Sequence, residues 1–362
     1  MHIKLNDLHA EYLSIKDEID EAIQRVLNKS SFIMGEEVER FEQNFAKYIG
    51  AKYCIGVSSC TAALYLAMKV HGIREGAMVG IPVRNVTASA EAAKMLDAII
   101  CLYDDDPDES MAVMVAVHLY GKPIRKIKHR GDCLIEDCAQ ATGASIKGRK
   151  CGTFGDIACF SFSPSKPLGC YGDGGAIVIP NENPEEELPG DYADHIRALR
   201  DHGRVKGKKY EHKYSGFNFR LDGIQAAVLN VKLPYLDRWI AMRAQAAARY
   251  NERLKDVEQV SCPRIKKGII RSWYVYAISV ERRNELSAYL GLKGIQAGIH
   301  YPIPVHQQPA FSDLYNGLSP DDRYHFPKAE KWAATTLSLP MYAFISEEQI
   351  EYVCNMIKGF YS

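Results

Sequence analysis

Short, nearly all-apolar runs recur along the first half of this chain, and that rhythm constrains its fold more than any other feature. They are Cys54 to Val57, Met78 to Pro82, Ile99 to Tyr103, Met111 to Val117, Cys133 to Ile135, Ile157 to Phe162 and Ala176 to Ile179. Each is too short for a typical helix, and strands buried on both faces read this way because neither side of the sheet meets water. Helical stretches lie between or before them. Glu11 to Lys29 sets Tyr12, Ile15, Ile19, Ile23 and Val26 at helical spacing, Glu36 to Tyr48 repeats the period, and Ala62 to Val70 follows Ser58-Ser59-Cys60-Thr61. The alternation predicts an α/β domain built on a mostly parallel sheet.

At 362 residues the chain exceeds one simple core, so two associated domains are expected. The pattern changes after Arg220. Leu221 to Arg253 is helical, with Ile224, Ala227, Val228 and Val231 on one face and a break at Pro234. Beyond Val260, a strand candidate (Ser272 to Val280) and helical pieces (Asn284 to Leu290, Glu347 to Ile357) predict a smaller α+β domain. The expected division is 1–235 for the large domain and 236–362 for the small C-terminal one.

Lys+Arg and Asp+Glu both total 45, so no net field draws this chain to nucleic acid or an anionic membrane. Its longest apolar runs are too short to span a bilayer. Met1 to Glu21 is mixed and helix-like, without the charged-then-apolar order of a leader, and a cytoplasmic location is expected. Ten cysteines include no C-x-x-C pair, and Cys101, Cys133 and Cys159 sit in strand-like runs. Free buried thiols are expected, with no disulfide framework and no metal site.

Chemistry concentrates between Ile135 and Gly175. This stretch holds Glu136-Asp137-Cys138-Ala139-Gln140, then Phe160-Ser161-Phe162-Ser163-Pro164-Ser165-Lys166, then Gly172-Asp173-Gly174-Gly175. Asp137 closes an apolar run, and alone it reads as a strand-end residue capping a turn. Lys166 follows about thirty residues later, in a Ser/Pro/Gly-rich stretch that continues no regular element, so it is expected on a loop facing a cleft. Most lysines are solvated surface charges; the combination with Asp137 and Ser161 sets this one apart. An acid that keeps a pyridine nitrogen protonated, with an amine that forms a Schiff base, suits pyridoxal phosphate.

A phosphate needs a cup. Ser58-Ser59-Cys60-Thr61 opens a helix, where unpaired amides and the helix dipole attract an anion, and Thr61 and Ser161 can each add a hydroxyl. Plain N-capping by Ser59 explains the same residues without a ligand, and both readings stand at this point. The segment from Gly169 to Gly175 lacks the G-x-G-x-x-G of a dinucleotide loop.

Taken together these segments resemble the DegT/StrS family of nucleotide-sugar aminotransferases, which has the aspartate-aminotransferase fold. The resemblance also covers Ile33-Met34-Gly35-Glu36-Glu37-Val38, Val117-His118-Leu119-Tyr120-Gly121 and His202-Gly203. It extends over Gly216-Phe217-Asn218-Phe219-Arg220-Leu221-Asp222 and Gly298-Ile299-His300-Tyr301-Pro302. It implies that Lys166 forms the Schiff base, Asp137 pairs with the pyridinium and Gln140 bonds the phenolic oxygen of the ring. Ser161, Ser59, Thr61 and the amides of Cys60 and Thr61 would hold the phosphate. Asn218 would reach the phosphate of a neighbouring subunit in a homodimer, and His300 and Tyr301 would line the sugar pocket. Read alone, His300-Tyr301-Pro302-Ile303-Pro304 is a rigid extended loop.

Three departures from the family pattern stand out. Val86 occupies the place of an aromatic residue that stacks on the ring, so the ring would rest on an aliphatic face. Cys60 replaces a glycine of the cup, which would tighten the backbone's approach to the phosphate. The stretches Tyr103 to Met111 and Lys122 to Asp132 are shorter than in the family.

The implied reaction is a two-stage transamination: glutamate gives up its amino group, pyridoxal phosphate carries it as pyridoxamine phosphate, and a nucleotide-linked 6-deoxy keto-hexose receives it. Lys166 would move protons as general base and acid. The run Arg220 to Leu229, with Lys232-Leu233 and Leu236-Asp237, is more similar to members acting on 3-keto than on 4-keto sugars. Amino-sugar biosynthesis of the lipopolysaccharide or O-antigen kind is the expected setting. The competing readings are a pyridoxamine-dependent sugar dehydratase, which would carry His in place of Lys166, and a homologue that keeps the fold without turnover. A nicotinamide dehydrogenase would need a glycine fingerprint that this chain lacks. The basic stretch Arg197 to Lys213 reads as a solvated loop whose place before Asn218 allows contact with a nucleotide diphosphate.

Overall fold

The computed structural model describes residues 1–104, 111, 113–124, 131, 133–180, 190–315 and 325–362. In chain order the strands are β1 (Ala51–Val57), β2 (Met78–Pro82), β3 (Ile99–Tyr103), β4 (Val113–Val117), β5 (Cys133–Asp137), β6 (Ser145–Ile146) and β7 (Arg149–Lys150). They continue with β8 (Ile157–Ser161), β9 (Gly175–Pro180), β10 (Val260–Ser261), β11 (Ile269–Ile270), β12 (Tyr276–Val280) and β13 (Thr336–Leu339). Seven of them form the main sheet in the order β1-β9-β8-β5-β4-β2-β3. Only β9 runs against its neighbours β1 and β8; the other pairs are parallel.

Period-two alternation explains why the runs read as continuously apolar. In β8, Ile157 and Cys159 face one layer of core, and Ala158 and Phe160 face the other. The first layer is covered by helices Cys60–Val70, Ala88–Lys94 and Gly190–Arg200. The second is covered by helices Glu36–Ile49 and Gly223–Lys232. Phe160 and Phe162 meet Phe41 and Phe45 edge to face in that second layer.

The predicted helix over Leu221 to Arg253 is interrupted. Gly223–Lys232 ends in a 3₁₀ turn, Leu233–Tyr235, before Leu236–Leu254 begins. Pro234 lacks the N–H that a continuous helix would need. Leu236–Leu254 joins two cores: Leu236 and Ile240 pack beneath the main sheet, whereas Ala246, Ala247, Tyr250 and Leu254 pack with β12, β13 and helix Glu347–Tyr361. The predicted strand Ser272 to Val280 forms only from Tyr276. Its first part is held out of the sheet because Ser272 Oγ donates to Gln140 O (2.6 Å) and Trp273 takes a φ of +50°.

Ile3 is fully buried in the second core. It forms a parallel bridge with Ile295, while Leu5 O accepts from Met341 N (3.0 Å). None of the ten cysteines is joined in a disulfide. Among the described residues, no helix is long and apolar enough to cross a membrane. The stretches read as shortened fall partly outside the described residues, at 105–110, 125–130 and 132.

Candidate active site

The carboxyl ends of the parallel strands lie along one edge of the main sheet, the usual place for a ligand in an open α/β sheet. Asp137 is the last residue of β5, Ser161 the last of β8, and Val86 follows β2. Asp137 is buried, with Oδ1 accepting from Ala139 N (3.0 Å) and Oδ2 from Ser89 Oγ (3.0 Å). Burial raises its pKa, against the pull of the Ala139 amide, the Ser89 hydroxyl and the Lys166 charge. A cationic partner placed above this carboxylate would be stabilised by it.

Lys166 stands on the loop between β8 and β9, half-buried, with Nζ 4.2 Å from the centre of the Tyr274 ring. Its charge also lowers the pKa of His300, behind the larger effect of burial, and partly offsets the rise of the buried Cys60 thiol. The amine, the carboxylate and the cup therefore share one electrostatic neighbourhood. The loop is held from below. Lys232 Nζ, fully buried, donates to Gly169 O (2.6 Å) and pairs with Glu11 Oε1 (2.6 Å). Gln225 Oε1 accepts from Tyr171 N (2.8 Å). A Cβ at Gly169 would lie 2.3 Å from Pro164 O, so only glycine lets the loop close this tightly.

Ser59 caps helix Cys60–Val70, its side chain accepting from Ala62 N (3.1 Å). The capping role foreseen for it is thus realised, and among the described residues the amides of Cys60 and Thr61 take no acceptor. Gly175 of β9 pairs with both Val57 and Ser161, and a Cβ there would lie 2.5 Å from Ser59 C. That missing side chain brings Ser161 up to the helix start. Val86 is half-buried, its amide donating to Asn85 Oδ1 (2.7 Å).

Gln140 is fixed at both ends: Oε1 accepts from Tyr120 N (2.7 Å) and Nε2 donates to Tyr301 OH (3.1 Å). His300 Nδ1 meets Ser338 Oγ (2.8 Å), and the His300–Tyr301 peptide is cis. Tyr120 OH donates to His300 O and accepts from Trp332 Nε1 (2.8 Å). Burial pushes the Tyr120 hydroxyl up to about 12, against the pull of Trp332 and Arg84. Asn218 differs from the rest. It is exposed, bridges Asp201 through its backbone, and makes no side-chain hydrogen bond to this group among the described residues.

A sequence model of the DegT/DnrJ/EryC1/StrS aminotransferase family matches residues 13–358. The chain is a member of that family. A relative from Saccharopolyspora erythraea named an erythromycin biosynthesis sensory transduction protein, EryC1, is 36% identical over 99% of this chain and 100% of its own. A dTDP-3-amino-3,4,6-trideoxy-alpha-D-glucose transaminase from Streptomyces venezuelae is 35% identical, covering 97% of this chain and 94% of its own. A crystal structure of DesV from S. venezuelae, in complex with a ketimine intermediate, superposes with a TM-score of 0.88 at 32% identity, covering 100% of this chain and 99% of its own. The mostly parallel sheet foreseen from the apolar runs is thus the fold of an aminotransferase.

Several residues of this DegT-family site and its supports receive no role of their own in the sequence reading. Ser89 sits in an alanine-rich helix and Asn85 in a loop, with no periodic signal for either. Tyr120 takes a φ of +59° just after β4, and Tyr274 lies in the segment expected to be strand. Lys232 lies in an amphipathic helix, where a lysine ordinarily reads as solvated.

Proposed function

We propose that this chain is a pyridoxal-phosphate-dependent aminotransferase that moves an amino group from glutamate to the 3-keto group of a nucleotide-linked 6-deoxyhexose. The observation that carries the reading is the buried Asp137 carboxylate, lying with Lys166 beside a helix start whose first amides are open. The residues fit the cofactor: the close contact of Gly175 with the Ser59 backbone draws Ser161 up to the open amides of Cys60 and Thr61, and both Asp137 oxygens are already oriented by donors. In this reading residues 1–235 hold the cofactor and 236–362 close over it.

When bound, pyridoxal phosphate supplies a protonated ring that accepts the electrons of the carbon losing its proton. The chain supplies the rest. Asp137 keeps the ring nitrogen charged. The Cys60 and Thr61 amides, with Thr61 and Ser161 hydroxyls, hold the phosphate, and Gln140, braced by Tyr120 N, meets the phenolic oxygen. Lys166 Nζ would anchor the aldehyde carbon at rest and, once the incoming amino donor has displaced it, the freed amine would take a proton from the donor's Cα and return one at the acceptor carbon. Val86 gives the ring an aliphatic seat, and His300 and Tyr301 wall the sugar side. Asn218, exposed in one chain, serves the phosphate of a second copy across a homodimer. The 3-amino product in the name of the S. venezuelae relative supports the 3-keto assignment.

The test combines the purified protein and pyridoxal phosphate with glutamate and each keto sugar, locating the new amine by NMR. Amination at C3 is expected, with Lys166→Ala giving no turnover and no borohydride-fixed adduct at that position. Amination at C4 would overturn the regiochemistry, and full activity in Lys166→Ala would overturn the whole assignment. One finding favours a second reading, a regulator without turnover: the S. erythraea relative is named for sensory transduction. A cofactor spectrum unchanged by glutamate would decide for it.

A further inference from the structure

Behind Asp137 lies a buried chain of side chains with no part in binding substrate. Ser89 Oγ donates to Asp137 Oδ2 (3.0 Å) and accepts from Asn85 Nδ2 (3.1 Å), while Asn85 Oδ1 accepts from Val86 N (2.7 Å). Ser89 is fully buried and Asn85 is 4% exposed, so bulk water does not compete for these groups.

We propose that Asn85 and Ser89 form a directional hydrogen-bond relay that fixes the orientation and negative charge of Asp137. Ser89 is then a positioning residue for the cofactor's ring nitrogen. The direction follows from the donor inventory. The Val86 amide can only donate, which sets the Asn85 carbonyl toward it and turns the Asn85 NH₂ toward Ser89. An NH₂ group only donates, so the single Ser89 hydroxyl proton is left for Asp137. With the Ala139 amide on Oδ1, each carboxylate oxygen has one fixed donor, which sets the plane of the group.

The relay matters because its surroundings disfavour charge. Besides Lys166 and His118, which favour the ionised form, the groups that couple to Asp137 are Cys60, Cys138, Cys159 and Tyr301, all neutral when protonated. Before the ring nitrogen arrives, the Ser89 hydroxyl and the Ala139 amide are the donors that stand in for water at this carboxylate.

This inference rests on the reading that Asp137 pairs with the pyridine nitrogen, and the experiment separates the two. Ser89→Ala, Ser89→Thr, Asn85→Asp and Asp137→Asn proteins are titrated with pyridoxal phosphate. Cofactor Kd, the pH midpoint of the long-wavelength absorption band and the thermal midpoint are recorded for each. Ser89→Ala is expected to raise Kd roughly tenfold, the loss of one hydrogen bond to a charged group. Its pH midpoint should also move up, because a ring that loses its positive charge would no longer repel the proton on Lys166 Nζ when that nitrogen holds the cofactor. Ser89→Thr should restore both. Asn85→Asp keeps the shape but draws the Ser89 proton away from Asp137, so it should weaken binding even where Ser89→Ala fails to fold. Wild-type Kd and pH midpoint in Ser89→Ala or Asn85→Asp would overturn the relay. If Asp137→Asn also binds like wild type, the pairing itself falls. If Asp137→Asn is weak while Ser89→Ala is normal, only the relay falls.

Discussion

Replacing Lys232 by methionine should destabilise this protein far more than a typical lysine substitution. Its ammonium is 2% exposed, lies 2.6 Å from Glu11 Oε1 (9% exposed), and donates to the Gly169 carbonyl at 2.6 Å. Methionine fills much the same volume but strands the Glu11 carboxylate in a dry setting. Breaking one side of a buried pair costs about 3–5 kcal/mol. Unfolding entropy near 2.1 cal/mol/K per residue gives about 0.76 kcal/mol/K for 362 residues, so about 4 kcal/mol lowers the melting midpoint by roughly 5 °C. The double variant Glu11→Leu/Lys232→Met removes both charges and leaves only the Gly169 carbonyl without its donor. It should recover to within about 1–2 kcal/mol of wild type. Calorimetric melts of the four proteins in the cycle measure the coupling. A single variant melting within about 1 °C of wild type would refute the argument, as would a double variant no better than the single.

Three further outcomes follow from the site and its supports. Tyr120→Phe removes the hydroxyl shared by His300 O and Trp332 Nε1. It should raise KM for the nucleotide sugar about tenfold, roughly 1.4 kcal/mol, with the glutamate half-reaction nearly unchanged; single-turnover measurements of each half check this. Burial raises the Glu136 pKa, but His118 and the Gly152 and Gly155 amides outweigh it, so the carboxyl sits below its ordinary 4.5. That stabilisation is complete above 4.5 and is lost as pH falls through the lower folded value, whereas burial-raised Asp137 contributes with the opposite sign. Glu136→Gln should therefore be less stable near neutrality and show a flatter acid limb in urea midpoints measured from about pH 6 to about pH 3. Mixing Lys166→Ala with Asn218→Ala chains should restore roughly a quarter of wild-type activity, since half the dimers are hybrids with one intact site each. No recovery on mixing would place Asn218 in its own chain's site.

The main sheet was legible because strands buried on both faces leave unbroken apolar runs, and Asp137 and Lys166 were legible because a strand end and a Ser/Pro/Gly loop are both visible locally. What stayed hidden depends on partners distant in sequence. Glu11 and Lys232 each look like surface charges until helix packing places them 2.6 Å apart. Ser89 among alanines carries no pattern, and only the fold brings it to Asp137, 48 residues on. The segment from Ser272 to Val275 has strand-like composition, yet the Ser272 hydroxyl bonds the Gln140 carbonyl and Trp273 turns left-handed, so tertiary contact overrides local preference there. Val260–Ser261 pairs as a strand but is too short to leave a period in the sequence.

The niche of Ile3 has a consequence for synthesis. A ribosome releases that residue long before Ile295 and Met341 exist, so its burial waits on segments made roughly three hundred residues later. Until then the Ile3 side chain stays unsheltered, and the core it fills cannot close before both distant segments have been made.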